Sequence, residues 1–259
     1  MSSPKPILVV AGVGNSSGTG GATARLFAKH GYLVALVARN ADNLKAAAEE
    51  IKKSGGEAAA FPISNYEYST VIDVFDQIKA HNWSNGKGEI RVALFNSAHG
   101  VWKPFLDVTE QDIQENVQVN ILAAFAFSRQ AILAFKENNI DEKGRRGTLL
   151  FTGATASLRG NVVTSGFATG KFALRALSQS LSKEFGKENI HVAHAIIDGG
   201  ILTDRSLERH TGDAKDNFQN NLDIRLSPES IAESYLYLTN QDRSAWTWEL
   251  DLRPAHEKW

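Results

Sequence analysis

The sequence predicts an α/β fold, a doubly wound parallel sheet flanked by helices, in a single domain spanning residues 1–259. Three observations lead there. Short β-branched runs alternate with longer segments of helical spacing, several of the runs are apolar almost throughout, as strands covered on both faces must be, and a glycine-rich turn follows the first run. The strands are expected at Ile7 to Ala11, Leu33 to Ala38, Ala58 to Phe61, Val92 to Phe95, Thr148 to Phe151, His191 to Ile197 and Trp246 to Leu252. The helices are expected at Ala22 to His30, Ala41 to Ser54, Tyr68 to His81, Asp112 to Asn138, Gly166 to Phe185 and Pro228 to Thr239. Such a series joins its parallel strands by right-handed crossovers. Glu137 to Gly147 reads as a loop. The long polar insertion from Thr203 to Asp223 reads as a lid over a substrate or as a plain surface excursion. No internal repeat or low-complexity linker divides the chain.

Composition narrows the function classes. A chain of 259 residues, 42% hydrophobic and 22% charged, can bury a large core. Its net charge of -1, with no Lys/Arg block, offers no field to hold a phosphate backbone, so no nucleic-acid partner is expected. Zero cysteines exclude disulfides, thiolate metal sites and a cysteine nucleophile, and fit a reducing compartment. MSSPKP runs directly into ILVVAG, too short an apolar run for a signal sequence or a membrane span. A cytoplasmic location and no membrane partner are therefore expected. His191 and His194, three apart on a strand, face opposite sides, and no other His/Asp/Glu cluster has ligand spacing, so no metal is expected.

The turn after the first strand reads Gly12-Val-Gly14-Asn-Ser-Ser-Gly18-Thr-Gly20-Gly21. Placed between a strand and a helix, it lets backbone N–H groups approach a pyrophosphate that faces the helix N-terminus. At the tip of the second strand, Val37-Ala38-Arg39-Asn40 holds no carboxylate. A carboxylate there would bind the ribose hydroxyls of NAD, whereas Arg39 can pair with the 2′-phosphate of NADP. NADP is the expected cofactor, unless Arg39 is only a solvated surface arginine.

Four further segments carry the reading. Phe167-Ala-Thr-Gly-Lys171 puts Phe167 and Lys171 one turn apart on one helical face, after a strand that leads into Gly153-Ala154-Thr155. Leu94-Phe95-Asn96-Ser97-Ala98-His99-Gly100 ends the fourth strand, Val117-Gln-Val-Asn120 lies in the fourth helix, and Asp198-Gly199-Gly200-Ile201-Leu-Thr203 follows the sixth strand. In order and spacing, with glycines at Gly14, Gly18 and Gly20, these segments resemble those of the short-chain dehydrogenase/reductase superfamily over roughly residues 7 to 253.

The resemblance implies a Rossmann-type, seven-stranded sheet and an NADP-dependent oxidoreductase acting on a small molecule. It also implies a homodimer or homotetramer built on the two long helices. By the same resemblance, Gly14, Asn15, Ser17, Gly18, Thr19 and Gly20 surround the pyrophosphate, Arg39 and Asn40 meet the adenosine ribose, and Asn96 and Ala98 lie beside the cofactor ribose. Ser64 or Asn65 replaces the family's Asp at the adenine. Gly199, Ile201 and Thr203 approach the nicotinamide and pyrophosphate. Lys171 holds the nicotinamide ribose, and Asn120 holds a local helix distortion and a water leading to that lysine. Phe167 stands at the family's Tyr position and Ala154 at its Ser position.

Loss of a general acid costs about a hundred- to ten-thousand-fold in rate, enough to cripple ordinary ketone reduction. The remaining hydroxyls nearby, Thr155, Thr164 and Ser165, are expected to position water or substrate but are poor acids, and Ser165 is equally placed to cap a helix. His99 is a second candidate acid. Arg129 faces either pocket or solvent, and Asp198 either stabilises a substrate cation or shapes a turn. Two functional readings follow. In the first, the hydride acceptor is already cationic, an imine or iminium, as in the divergent fungal reductases of alkaloid pathways that the chain is similar to. In the second, the protein is a catalytically degenerate nucleotide binder, or a non-redox catalyst, for example of a cycloaddition, that reuses the pocket.

Overall fold

The computed structural model describes residues 4–84 and 86–258. Residues 1–3, 85 and 259, which the one-domain expectation also spans, lie outside the described residues. The strands are β1 (Pro6–Ala11), β2 (Leu33–Ala38), β3 (Glu57–Pro62), β4 (Glu89–Phe95), β5 (Gly147–Thr152), β6 (Ile190–Ile197), β7 (Gly200–Ile201), β8 (Arg225–Leu226) and β9 (Glu249–Leu252). Seven of them form one parallel sheet in the order β3-β2-β1-β4-β5-β6-β9, while β7 and β8 pair separately. The helices are α1 (Thr19–Lys29), α2 (Ala41–Lys53), α3 (Tyr68–Ala80), α4 (Glu110–Val117), α5 (Ala123–Glu137), α6 (Ser165–Phe185), α7 (Asp204–Leu207), α8 (Gly212–Asn220) and α9 (Pro228–Asn240).

The period of two along each strand divides the interior into two cores. Ile7, Val9 and Ala11 pack with residues of α3, α5 and α6 on one face, and Leu8 and Val10 with residues of α1, α2 and α9 on the other. Because both faces are covered, the central strands carry apolar residues at almost every position, which is what made them legible as strands. The chain reverses its order of winding between β1 and β4, so the carboxyl ends of these two strands diverge into a crevice.

Four elements differ from expectation. Helix α1 begins at Thr19 rather than Ala22, because packing overrides the poor helix propensity of glycine: a Cβ on Gly20 would lie 2.4 Å from the Gly12 carbonyl oxygen. The expected helix from Asp112 to Asn138 starts at Glu110 and is interrupted by a π turn at Gln118–Leu122. The last strand begins at Glu249 rather than Trp246, since the Gln241 side chain accepts from the Thr247 amide and the Thr247 carbonyl meets His191, in place of a ladder. The polar insertion folds into α7 and α8, anchored by the buried Phe218, whose ring stacks on His210 at 4.4 Å. The stretch Glu110–Glu137 is long and apolar enough to cross a bilayer, but 61% of its most apolar window is buried inside the protein.

Candidate active site

The crevice at the carboxyl ends of β1, β4, β5 and β6 holds a cavity of about 640 Å³. On one side the glycine turn presents Gly14, Asn15, Ser17, Gly18, Thr19 and Gly20 to it. Ser17 Oγ donates to Asn15 Oδ1 at 2.8 Å, and Asn15 Nδ2 donates to Asp204 Oδ2 at 2.8 Å, so the turn is tied to the first residue of α7. The Asp204 amide also reaches Ser17 Oγ at 3.2 Å.

The cavity floor is built on a chain of hydrogen bonds that joins five elements, β1, β4, β5, α6 and α9. Asn96 Nδ2 donates to the Gly12 carbonyl at 2.7 Å, and Thr152 Oγ1 donates to Asn96 Oδ1 at 2.8 Å. Tyr235 of α9 lies 2.7 Å from Thr152 Oγ1, and its burial raises the phenol pKa. From the other side Lys171 Nζ donates to the Thr152 carbonyl at 2.7 Å. Only 3% of Lys171 is exposed, and burial pulls its ammonium down to about 8.

Phe167 is half-buried, lines the cavity with Ala154, and has its ring centre 5.7 Å from Lys171 Nζ. Its other neighbour is Trp102, at 4.9 Å between ring centres. Gly199, Ile201, Thr203, Asn96 and Ala98 also line the cavity. Thr155 lines it too, but its hydroxyl donates to the Asp198 carboxylate. Asp198 lies in the two-residue connection between β6 and β7 and is not open to a substrate cation: it is 1% exposed and paired with Arg253.

Asn120 does not line the cavity. It sits inside the π turn and grips the main chain of His99 twice, accepting from its amide at 2.9 Å and donating to its carbonyl at 2.8 Å. Its effect on the site runs through the turn after β4. The His99 imidazole is directed to Glu115, 3.4 Å away, rather than into the cavity.

Several expected positions are not brought into this cavity. Ser165 is the first residue of α6 and Thr164 is the cap position, so Ser165 neither caps the helix nor lines the cavity, whereas Thr164 lines it. Asn40 caps α2 by accepting from the Asn43 amide at 2.9 Å, and Asn65 accepts from the Glu67 amide and Thr70 Oγ1, both at 2.9 Å. Their oxygens are committed to local turns. Ser64 is exposed at the tip of β3, and Arg129 is exposed to solvent. Arg39 lies outside the cavity with its guanidinium 5.5 Å over the Tyr66 ring.

The lining residues that the sequence did not single out include Trp102, Asn161, Arg205 and Arg209. No periodic pattern marks them: Arg205 lies in α7, Arg209 in the turn just after it, and Trp102 in the segment after β4. Among the described residues no group of three His, Asp or Glu side chains stands close enough to hold a metal ion. The fit to a dinucleotide rests on the narrow approach at Gly20, where any side chain would strike the Gly12 carbonyl.

Comparison with known proteins agrees. The short chain dehydrogenase family profile matches residues 7–213. Carbonyl reductase family member 4 of Xenopus laevis is 30% identical over 236 residues, 89% of this chain and 90% of that one. A short-chain dehydrogenase from Rhodopseudomonas palustris is 29% identical with a TM-score of 0.76, covering 96% and 98% of the two chains. The L-sorbose reductase of Gluconobacter frateurii, solved with NADPH and L-sorbose, has the same fold at 21% identity and a TM-score of 0.84, over 99% and 98%.

Proposed function

Because the chain belongs to the short-chain dehydrogenase family, we propose that this oxidoreductase uses NADPH to reduce a small organic acceptor that needs no proton from a tyrosine. NADPH would supply the hydride. The observation that carries the reading is the pair formed by Phe167 and Lys171: an ammonium 5.7 Å from an aromatic ring that has no hydroxyl, with Ala154 rather than a hydroxyl side chain on the same cavity wall. An iminium acceptor becomes a neutral amine on receiving hydride, so the reacting centre calls for no acid. The ring of Phe167 then serves as an apolar wall that excludes water.

The cofactor would be held by the glycine turn, by Asn96 and by Lys171, with Ile201 and Thr203 closing over it from the far side. What supports NADPH over NADH is Arg39, exposed beside Tyr66 at the tip of β2 with no carboxylate partner among the described residues. Helices α7 and α8, with residues 203–223, act as the substrate lid, their first turn latched to Asn15. Exposed Ile113, Leu122, Phe125 and Phe172 on the long helices support a homodimer or homotetramer. A cytoplasmic site of action is part of the same proposal and rests on the cysteine-free sequence.

Calorimetric titration with NADPH and NADH tests the cofactor. Binding of neither removes the reductase and leaves a scaffold. With NADPH bound, turnover of cyclic imines in preference to ketones is expected, and brisk ketone turnover would mean that another group supplies the proton.

A further inference from the structure

The described residues that line the cavity include three cations, Lys171, Arg205 and Arg209, and no Asp or Glu. Lys171 gives one of its three donors to the Thr152 carbonyl and is the lysine assigned to the cofactor. The two arginines belong to the lid and follow its latch. Asp204 holds the glycine turn through Asn15 at 2.8 Å, Arg205 follows it in α7, and Arg209 lies in the turn just after that helix. There its guanidinium carbon lies 5.6 Å over the Trp102 ring, and Trp102 in turn packs on Phe167 at 4.9 Å.

This arrangement depends on the sequence at a specific point. The Trp102 ring folds back over Gly100, where a Cβ would lie 2.1 Å from the ring, so only glycine allows the indole to lie there. Trp102 is 48% exposed, a large apolar surface at the mouth of the cleft. No carboxylate of the described residues pairs with Arg209. Its guanidinium lies over the indole and lines a cavity to which the described residues contribute no acid.

We propose that the substrate is an organic acid with an apolar, ring-containing body, whose carboxylate pairs with Arg209 while its body lies against Trp102 and Phe167. The inference rests on the proposed function and narrows it. The cavity offers an iminium cation no counter-charge, because Asp198 is already consumed by Arg253. An acceptor that brings its own carboxylate enters the cleft without bringing a net positive charge near the three cations. A guanidinium also recognises a carboxylate by two parallel hydrogen bonds, which a lysine cannot reproduce.

The test uses the full chain and two probes of one shape, naphthalene-2-carboxylate and naphthalene-2-carboxamide, titrated by calorimetry with and without saturating NADP+. The acid is expected to bind at least about tenfold more tightly than the amide, a difference of roughly 1.4 kcal/mol. Arg209→Gln should bring the acid down to the level of the amide, Arg209→Lys should keep part of the preference, and Trp102→Ala should weaken both probes alike. Equal binding of acid and amide, an acid preference untouched by Arg209→Gln, or no binding of either probe at millimolar concentration overturns the inference. Failure of NADP+ to bind in the same series counts against the cofactor assignment instead, since the acid-to-amide ratio is also read without it.

Discussion

Lys171 Nζ stands 5.7 Å from the centre of the Phe167 ring and spends its hydrogen bond on a main-chain oxygen, that of Thr152 at 2.7 Å. A phenol at position 167 would stand on the same helical face as the ammonium, whose positive charge favours the phenolate and so lowers the cost of giving up a proton. Introducing Phe167→Tyr together with Ala154→Ser should therefore raise kcat/KM for ketones by about a hundredfold, the low end of general acid catalysis. Steady-state NADPH oxidation measures it. No gain, in a variant that still binds NADPH, would mean that the cavity does not admit a carbonyl in reach of these positions.

Lys171 also sets a stability term. Its folded pKa of about 8 lies below the ordinary 10.5 because burial disfavours the charge. Below about pH 8 both folded and unfolded chains carry the proton and the burial cost is fully present. Between about 8 and 10.5 the unfolded chain binds more protons, so stability rises with pH. Lys171→Met removes the cost. The variant should melt above the wild type at pH 7, with the gap narrowing towards pH 10; a gap that does not change with pH refutes the assignment.

The parts of this reading that were legible in the sequence are those encoded over a few residues. β1 and β2 announced themselves because burial on both faces leaves no polar position to obscure them. Helical spacing put Phe167 and Lys171 on one face, and the resemblance to the short-chain family marked that face as the site. Trp102, Arg205 and Arg209 were not legible, because the segment from α7 through Arg209 meets the stretch after β4 only once the chain has folded across the cleft. Tyr235 was hidden for the same reason, reaching Thr152 from 83 residues away. Asn40 and Asn65 show why a short motif is ambiguous: the amide expected at the adenosine also serves a helix cap or a turn, and both side-chain oxygens accept local hydrogen bonds.

His194 is fully buried beside Glu249, its Nδ1 3.1 Å from the carboxylate, yet burial outweighs that partner and pulls the imidazole down to about 4. The contact is a hydrogen bond to a neutral ring near pH 7. Between about 4 and the ordinary 6.5 the unfolded chain takes up the proton first, so stability is lost as pH falls through this window. For Glu249, burial raises the pKa, but the Arg175 hydrogen bond and charge outweigh it and leave the carboxyl below its ordinary 4.5. Its contribution is therefore lost at lower pH. His194→Gln should flatten the melting temperature between pH 6.5 and 5 while leaving the steeper acid limb; an unchanged slope refutes the role given to His194.

Val163 holds a left-handed backbone, φ 61, in the turn whose Asn161 and Thr164 line the cavity. A β-branched residue is strained there, at a cost on the order of 1–3 kcal/mol, and this side chain is exposed enough to recover little by burial. The Val163 carbonyl accepts from the Lys103 amide at 3.0 Å, fixing the turn against the segment that carries Trp102. Val163→Asn, which tolerates the conformation, should stabilise the chain by about 1 kcal/mol, or roughly 2–4 °C in Tm. A fall in Tm would show that the conformation is not strained, and a rise in KM alongside a higher Tm would tie the strain to substrate binding.

Arg39 tests the cofactor choice most directly. It is exposed, rests over Tyr66 at 5.5 Å, and has no carboxylate partner among the described residues, so its removal leaves no buried charge unpaired. A guanidinium pairs with phosphate oxygens by charge-assisted hydrogen bonds worth about 1.5–3 kcal/mol, whereas a ribose hydroxyl offers it no opposite charge. Arg39→Ala should weaken NADPH binding by at least about tenfold and leave NADH binding within about twofold. Arg39→Lys keeps the charge without the flat fork and should fall between. Equal losses for the two cofactors would mean that Arg39 supports the β2 tip through Tyr66 rather than reading the phosphate, and the preference for NADPH would then have no residue to carry it.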